Sequence, residues 1–388
     1  MKIIPDDFSF DFMGRIGLFR FVSGTLMVAS ITSFIVFGLN LGIDFAGGYE
    51  IQVRFPEKVS ERQIKDLIKP LKVGDVRVQR FGSEEENSYL IMARKHGTIG
   101  EELKSVLKSD FEGIASKAGS LSNWSIAESG ERLVIGFDHK VSQDLIRQAV
   151  EKHGLLVKKI TVKTHEEKSE FVVSLVSLAD QVEGALVAGL DFGPESNIVQ
   201  RVEFVGPQVG KELRNQGFLA VLYALGFILL YIAMRFDLFF SPGAILALVH
   251  DVLAIIGLFS IFQLEFNLPI IAAILALVGY SLNDTIVVYD RIRENLIRFR
   301  GRELGALINT SLNQTLSRTI LTSLTTLLVV AALWILGGGI IRDFAIALFA
   351  GVIIGTYSSV AIASPTYLWL RQRQAAKESP GDKSVLTA

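Results

Sequence analysis

Three ionisable residues interrupt stretches that are otherwise almost wholly apolar: Asp251 in "LALVHDVLAI", Asp284 in "GYSLNDTIVVYD" and Arg318 in "NQTLSRTILTSLTTLL". His250 stands beside the first, and Tyr280 and Asn283 precede the second. Tyr280, Asp284 and Val287/Val288 share one helical face at i, i+4 spacing. A carboxylate inside a membrane helix costs about 2.5–3.5 kcal/mol on insertion scales, so its presence points to a task. Two carboxylates and a guanidinium on consecutive apolar segments suit proton exchange. A nearby arginine favours the charged carboxylate and desolvation favours the neutral one, so a balanced site can trade protons near neutral pH. Thr319, Thr322, Ser323 and Thr326 add hydroxyls able to line a wet path. The plainer alternative is that Asp251 and Asp284 only tie neighbouring helices together and that Arg318 is a boundary charge.

The segment that must position Asp284 runs from Asn267 to Arg302. Asn267 is the expected N-cap, and Pro269 falls in the first turn, where its missing N–H costs nothing. About twenty apolar residues follow, enough to cross a bilayer. A basic run then carries Arg291, Arg293, Arg298, Arg300 and Arg302. Further apolar runs lie at about 18–38, 215–234, 242–262, 319–337 and 343–370, so six spans are expected, with the fourth at 268–289. Asp251 then sits near mid-bilayer, and Arg318 starts the fifth helix. The first run is long and lacks a small-residue cleavage site, which reads as an uncleaved anchor. Arg235, Arg371, Arg373 and Lys377 share a side with the Arg291 cluster, whereas the opposite turns carry Glu265 and Arg342. The positive-inside rule puts residues 1–17 and the tail 371–388 in the cytoplasm. Residues 39–212 are then exported, to the periplasm in a Gram-negative cell.

That exported region is the only large polar one, and it repeats. "FPEKVSERQI" (55–64) matches "FDHKVSQDLI" (137–146) at an offset of 82 residues that also relates the following strands. Each half reads strand, helix, strand, strand, helix, strand, the order of the ferredoxin-like split βαβ unit. The expected fold is an α-helical polytopic membrane protein, six transmembrane helices with an α+β periplasmic domain. Two tandem ferredoxin-like βαββαβ units, about 49–128 and 131–205, make up that domain. The pair Gly47-Gly48 and the dipeptide Gly206-Pro207 bracket it as hinges.

Half of the 388 residues are hydrophobic, and the net charge of −1 gives no sign of a nucleic-acid partner. The chain has no cysteine, and its five histidines show no ligand spacing, so no catalytic metal is expected. No phosphate-binding loop or nucleophile elbow is present, so no cofactor is expected and any energy must come from an ion gradient or a partner's ATPase. Two aspartates on adjacent apolar segments suggest an intramembrane aspartyl protease, but its Tyr-Asp and Gly-x-Gly-Asp contexts are replaced here by Val-His-Asp and Leu-Asn-Asp. No enzyme is expected.

Six stretches together resemble the SecF family of bacterial protein-export subunits: "LNLGIDFAGG" (39–48), "VEFVGPQVGKEL" (202–213), "ALVHDVL" (247–253), "GYSLNDTIVVYDRIREN" (279–295), "NQTLSRTILTSLTTLL" (313–328) and "GTYSSVAIASP" (355–365). The resemblance spans nearly the whole chain. It implies a proton-driven subunit of the resistance-nodulation-division class that aids Sec-dependent export in the inner membrane. The implied partners are a SecD-like subunit, the SecYEG channel, a YajC-type subunit and unfolded preproteins. Asp284 and Arg318 match the family's proton-path residues, and Asp251 its His-Asp motif. One departure stands out: the family's exported region holds a single ferredoxin-like unit. The competing readings are half of a small-molecule or lipid exporter of the same superfamily, and a non-transporting assembly scaffold.

Overall fold

Hydropathy sets apolar helices at both ends of the sequence around a polar insert, and the structure follows that division. The computed structural model describes residues 9–378 apart from 72, 75, 82–83, 94–98, 100, 117–119, 166–167, 194–195 and 236–238. The outer parts of the expected termini (1–8 and 379–388) lie outside the described residues. Two compact units result: Met1–Leu41 with Asn215–Ala388, and Gly42–Arg214.

In chain order the elements are α1 (Ile16–Phe37), β1 (Asn40–Leu41), α2 (Ile43–Ala46), β2 (Gly48–Arg54), α3 (Glu61–Ile68), β3 (Val76–Phe81) and β4 (Ser88–Ala93). Then come α4 (Glu101–Ala115), β5 (Leu121–Ile126), β6 (Arg132–Phe137), α5 (Gln143–Glu151), β7 (Val157–His165), β8 (Lys168–Leu175), α6 (Leu178–Gly189) and β9 (Val199–Val205). The rest is α7 (Pro207–Arg235), α8 (Ser241–Ile261), β10 (Glu265–Phe266), α9 (Leu268–Arg298), α10 (Leu304–Leu336), α11 (Gly339–Ser358), a π-helical turn at Ser359–Ala363 and α12 (Ser364–Glu378).

In the polar unit the repeated Lys-Val-Ser marks two helix starts. Ser60 caps α3 in a reciprocal capping box with Gln63, and Ser142 caps α5 by accepting from the Asp144 N–H. The element order repeats as expected, but the sheets do not form from consecutive sets of six. β9 pairs with β2, Tyr49 opposite Phe204, giving the order β3-β4-β2-β9. Ile64 of α3 and Val182 and Leu186 of α6 pack on Ile51, Val53 and Ile91 of that sheet. β5 pairs instead with β6, giving β5-β6-β8-β7, with Leu107 and Phe111 of α4 and Ile146 and Val150 of α5 in its core. The tandem partition at about 49–128 and 131–205 is corrected: the second sheet and its helices are inserted between β4 and α6 of the first. Loop closure explains why. β5 and β6 are joined by residues 127–131, with Ala127 N–H donating to the Arg132 carbonyl and Gly130 at φ +69. Such a hairpin costs far less closure entropy than returning β5 to β2.

The apolar unit holds α1, α7 from Asn215 onward and α8 to α12. Among the described residues six helices are long and apolar enough to cross a membrane: Met13–Phe37, Pro207–Arg235, Ser241–Ile261, Leu268–Arg298, Leu304–Leu336 and Gly339–Lys377. The fifth begins 14 residues before Arg318 rather than at it. Its polar start escapes a hydropathy reading because hydroxyls bond back into the helix, Ser311 to the Leu307 carbonyl and Thr315 to that of Ser311. Asn267 does precede α9 with Pro269 in its first turn, but its side chain makes no cap and its Oδ1 has no hydrogen-bond partner among the described residues.

The chain lacks cysteine, so the insertion can be tested cleanly. Cysteines replacing the register partners Glu50 and Glu203 are expected to cross-link on oxidation, and a pair at Glu50 and Asn123 not. The reverse outcome would restore the tandem arrangement.

Candidate functional site

Asp251 is fully buried on α8 and is held from three directions. Its Oδ1 lies 3.0 Å from His250 Nδ1, while Oδ2 accepts from Ser281 on α9 at 2.5 Å and from Ser358 at the end of α11 at 2.7 Å. Asp284, 7% exposed on α9, accepts from Thr319 of α10 at 2.6 Å and from Ser359 at 2.7 Å. Each carboxylate therefore ties three helical segments together, and adjacent serines reach one carboxylate each. A second polar tier connects Tyr280, whose hydroxyl donates to Ser323 at 3.2 Å, with Thr356, 2.7 Å from Ser323.

Two local features bring these groups together. Gly355 lets α9 approach α11, since a Cβ there would press on Ser281 at 2.9 Å; small residues give membrane helices this closeness. The π turn then places Ser359 on a different carboxylate from Ser358. Pro365 accounts for the turn, because it has no N–H to give the Ala361 carbonyl one α-turn back and its ring crowds that carbonyl. The widened turn is anchored by Tyr289, fully buried, whose hydroxyl donates to the Ala363 carbonyl at 3.0 Å. Phe240 and Tyr367 stack beside it at 4.0 Å.

The expected residues divide into two sets. Asp251, Asp284, His250 and Tyr280 point inward, as do Thr319 and Ser323. Asn283 and Arg318 are exposed on the outside of the unit, and no ion pair joins Arg318 to a carboxylate among the described residues. Thr322 and Thr326 bond back to carbonyls of their own helix. Gly47, Gly48, Gly206 and Pro207 lie in the polar unit. Gly48 pairs with Val205, and a Cβ on Gly47, at φ +74, would meet the Val205 carbonyl and Pro207 at 3.2 Å. Ser281, Ser358, Ser359 and Tyr289 escape sequence reasoning as site residues. The available signal was a serine pair six residues before a proline inside an apolar run.

With this geometry in view, comparison with known proteins is decisive. Over 382 residues, covering 98% of each chain, the sequence is 39% identical to the protein translocase subunit SecF of Magnetococcus marinus. The chain belongs to the SecF family. The SecF subunit of Calditerrivibrio nitroreducens is 37% identical over 367 residues, 94% of this chain and 95% of that one. Residues 190–373 match the family described as protein export membrane protein SecD/SecF, C-terminal, and residues 32–55 match the SecD/SecF GG motif. The crystal structure of SecDF, a translocon-associated membrane protein from Thermus thermophilus, is similar with a TM-score of 0.60 at 32% identity. That similarity covers 95% of this chain and 39% of that longer chain.

Substitution of Tyr289 by Phe removes the hydroxyl bond that pins the Ala363 carbonyl in a fully buried place and is expected to cost about 0.5–1.5 kcal/mol. Thermal unfolding in detergent should show a clear loss for Tyr289→Phe and a smaller one for Tyr280→Phe, since Ser323 keeps Thr356. Equal losses would remove the special place given to the π turn.

Proposed function

We propose that this chain is the SecF-type half of a protein-export complex in which proton movement through Asp284 drives work outside the membrane. The observation that carries the reading is Asp284 itself, buried between Thr319 and Ser359 and one residue from the level of Arg318 on the facing helix. When charged, the carboxylate accepts from both hydroxyls. A proton on one oxygen turns that oxygen into a donor and weakens it as an acceptor, so the hydroxyl bond it receives is loosened. Ser359 lies at the junction of α11 and α12, which makes the π turn the element that responds.

Arg318 supports a partner. An exposed guanidinium far inside an apolar helix is costly against lipid, and a second membrane subunit covering α10 removes that cost. A SecD-like chain is the natural candidate, since the SecDF chain is longer and this one matches about two fifths of it. Asp251, with His250, serves as a second carboxylate sharing the serine pair. Basic residues beside α7, α9 and α12 support cytoplasmic termini and a periplasmic polar unit. Within that unit we read each four-stranded sheet as ferredoxin-like, with Gly47, Gly48, Gly206 and Pro207 as its hinge. SecYEG, a YajC-type subunit and unfolded preproteins complete the expected set of partners.

The energy suffices. A charge crossing the membrane yields about 2.3 kcal/mol per 100 mV. One proton at ~150 mV then supplies roughly 3.4 kcal/mol and shifts a two-state equilibrium about 300-fold.

Asp284→Asn keeps the shape and most hydrogen bonding but cannot exchange a proton. The variant is expected to insert and assemble normally yet lose gradient-dependent export. Arg318→Lys should be intermediate, because charge persists without the planar fork. The measurement is preprotein release from vesicles with and without an uncoupler. Full uncoupler-sensitive stimulation by Asp284→Asn would remove this residue as the proton carrier.

A further inference from the structure

A cleft of about 620 Å³ opens between α1, α8, the π turn and α12. Its walls are mostly apolar, with Met27, Ile31 and Leu253 toward the inner end of α1 and α8. Polar groups gather toward the end where α1 begins: Arg20, Thr366 and Trp369. His250 lines the wall at 5% exposure, and its Nε2 has no hydrogen-bond partner among the described residues. Arg20 is exposed and forms no ion pair among the described residues, while Arg373 stacks over Trp369 at 4.0 Å from the ring centre.

We propose that this cleft binds an anionic glycerophospholipid of the leaflet nearest the chain's N-terminal end, with its phosphate on Arg20 and one acyl chain along Met27, Ile31 and Leu253. The layering of the walls matches the layering of such a molecule. A guanidinium and an amphipathic indole meet the head at interfacial depth, where both side chains are favoured. The ester carbonyls follow, able to meet Thr366 and, when Nε2 carries hydrogen, His250. Hydrocarbon lies innermost. Arg373, over the indole, adds a second positive charge near the head. A chain seated there also keeps water from the His250–Asp251 pair on that side. The occupant follows from charge: among the described residues no carboxylate pairs with Arg20, so a negative head group is the complement.

Trp369 reports occupancy directly. In the full chain with Trp124→Phe and Trp334→Phe, phosphatidylglycerol with brominated chains in a nonionic detergent micelle is expected to quench Trp369 saturably. Brominated phosphatidylcholine should require several-fold higher concentrations. Arg20→Gln should weaken the phosphatidylglycerol response about fivefold, the weight of one basic residue at an anionic surface, while Arg293→Gln on the exposed basic run should not. Gly24 lines the cleft, and a Cβ there meets nothing within 4 Å, so Gly24→Leu should fold normally and abolish saturable quenching. Equal saturation by the two lipids, or an unchanged response in Arg20→Gln or Gly24→Leu, overturns the proposal. So does loss of the response when a second membrane subunit is reconstituted with the chain, since protein then covers the cleft. None of these readings needs a proton gradient, so they stand apart from the export assay.

Discussion

Two carboxylates sharing a pair of consecutive serines is the constraint on which the apolar unit depends. A charge within a bilayer is costly, and removing one partner of a buried charge leaves a cost of several kcal/mol. Asp251 and Asp284 are acceptable only because hydroxyls on three other segments converge on them. That convergence demands close helices, and the close helices demand Gly355 against Ser281. It also demands that Ser358 and Ser359 face different ways. An α-helix places consecutive side chains about 100° apart, and the π turn that follows is held by Tyr289 on the Ala363 carbonyl. The aromatic cluster of Phe240, Tyr289 and Tyr367 is the mechanical base of that arrangement.

The same constraint is what the proposed function uses to link energy to movement. In the proposed function a proton on Asp284 weakens one of the two hydroxyl bonds it accepts. Of the two partners, Thr319 lies within the straight helix α10, and Ser359 lies at the junction between α11 and α12, the softer place to yield. In the polar unit the pairing of Gly48 with Val205 brings the first strand and the last together in one sheet, so both chain connections leave from neighbouring positions. A tandem arrangement would have separated them onto two sheets.

Much of this was legible in the sequence. Apolar run length gave the six helices, because crossing a bilayer sets a length that composition records. Asp251, Asp284 and His250 stood out because charge within such runs is rare. The 82-residue repeat gave the element order, and in the structure the serine of each repeated Lys-Val-Ser caps a helix. Strand pairing was not legible, since the repeat is silent on whether β5 turns to β6 or returns to β2. Short loop closure decided that. The start of α10 was hidden because serine and threonine look polar in composition yet satisfy themselves on the helix backbone. Ser358 and Ser359 were hidden for the same reason. The outward placement of Arg318 and Asn283 was also beyond reach, because identity alone does not say which face of a helix a neighbour will cover.

The central claim is that Asp284 exchanges its proton while bonded to Ser359. Infrared difference spectroscopy of the assembled complex in lipid, recorded on acidification, tests it most directly. The account predicts a protonated-carboxyl band that is absent in Asp284→Asn and shifted to higher frequency in Ser359→Ala, where a hydrogen-bond partner is lost. A band that persists unchanged in Asp284→Asn would contradict it.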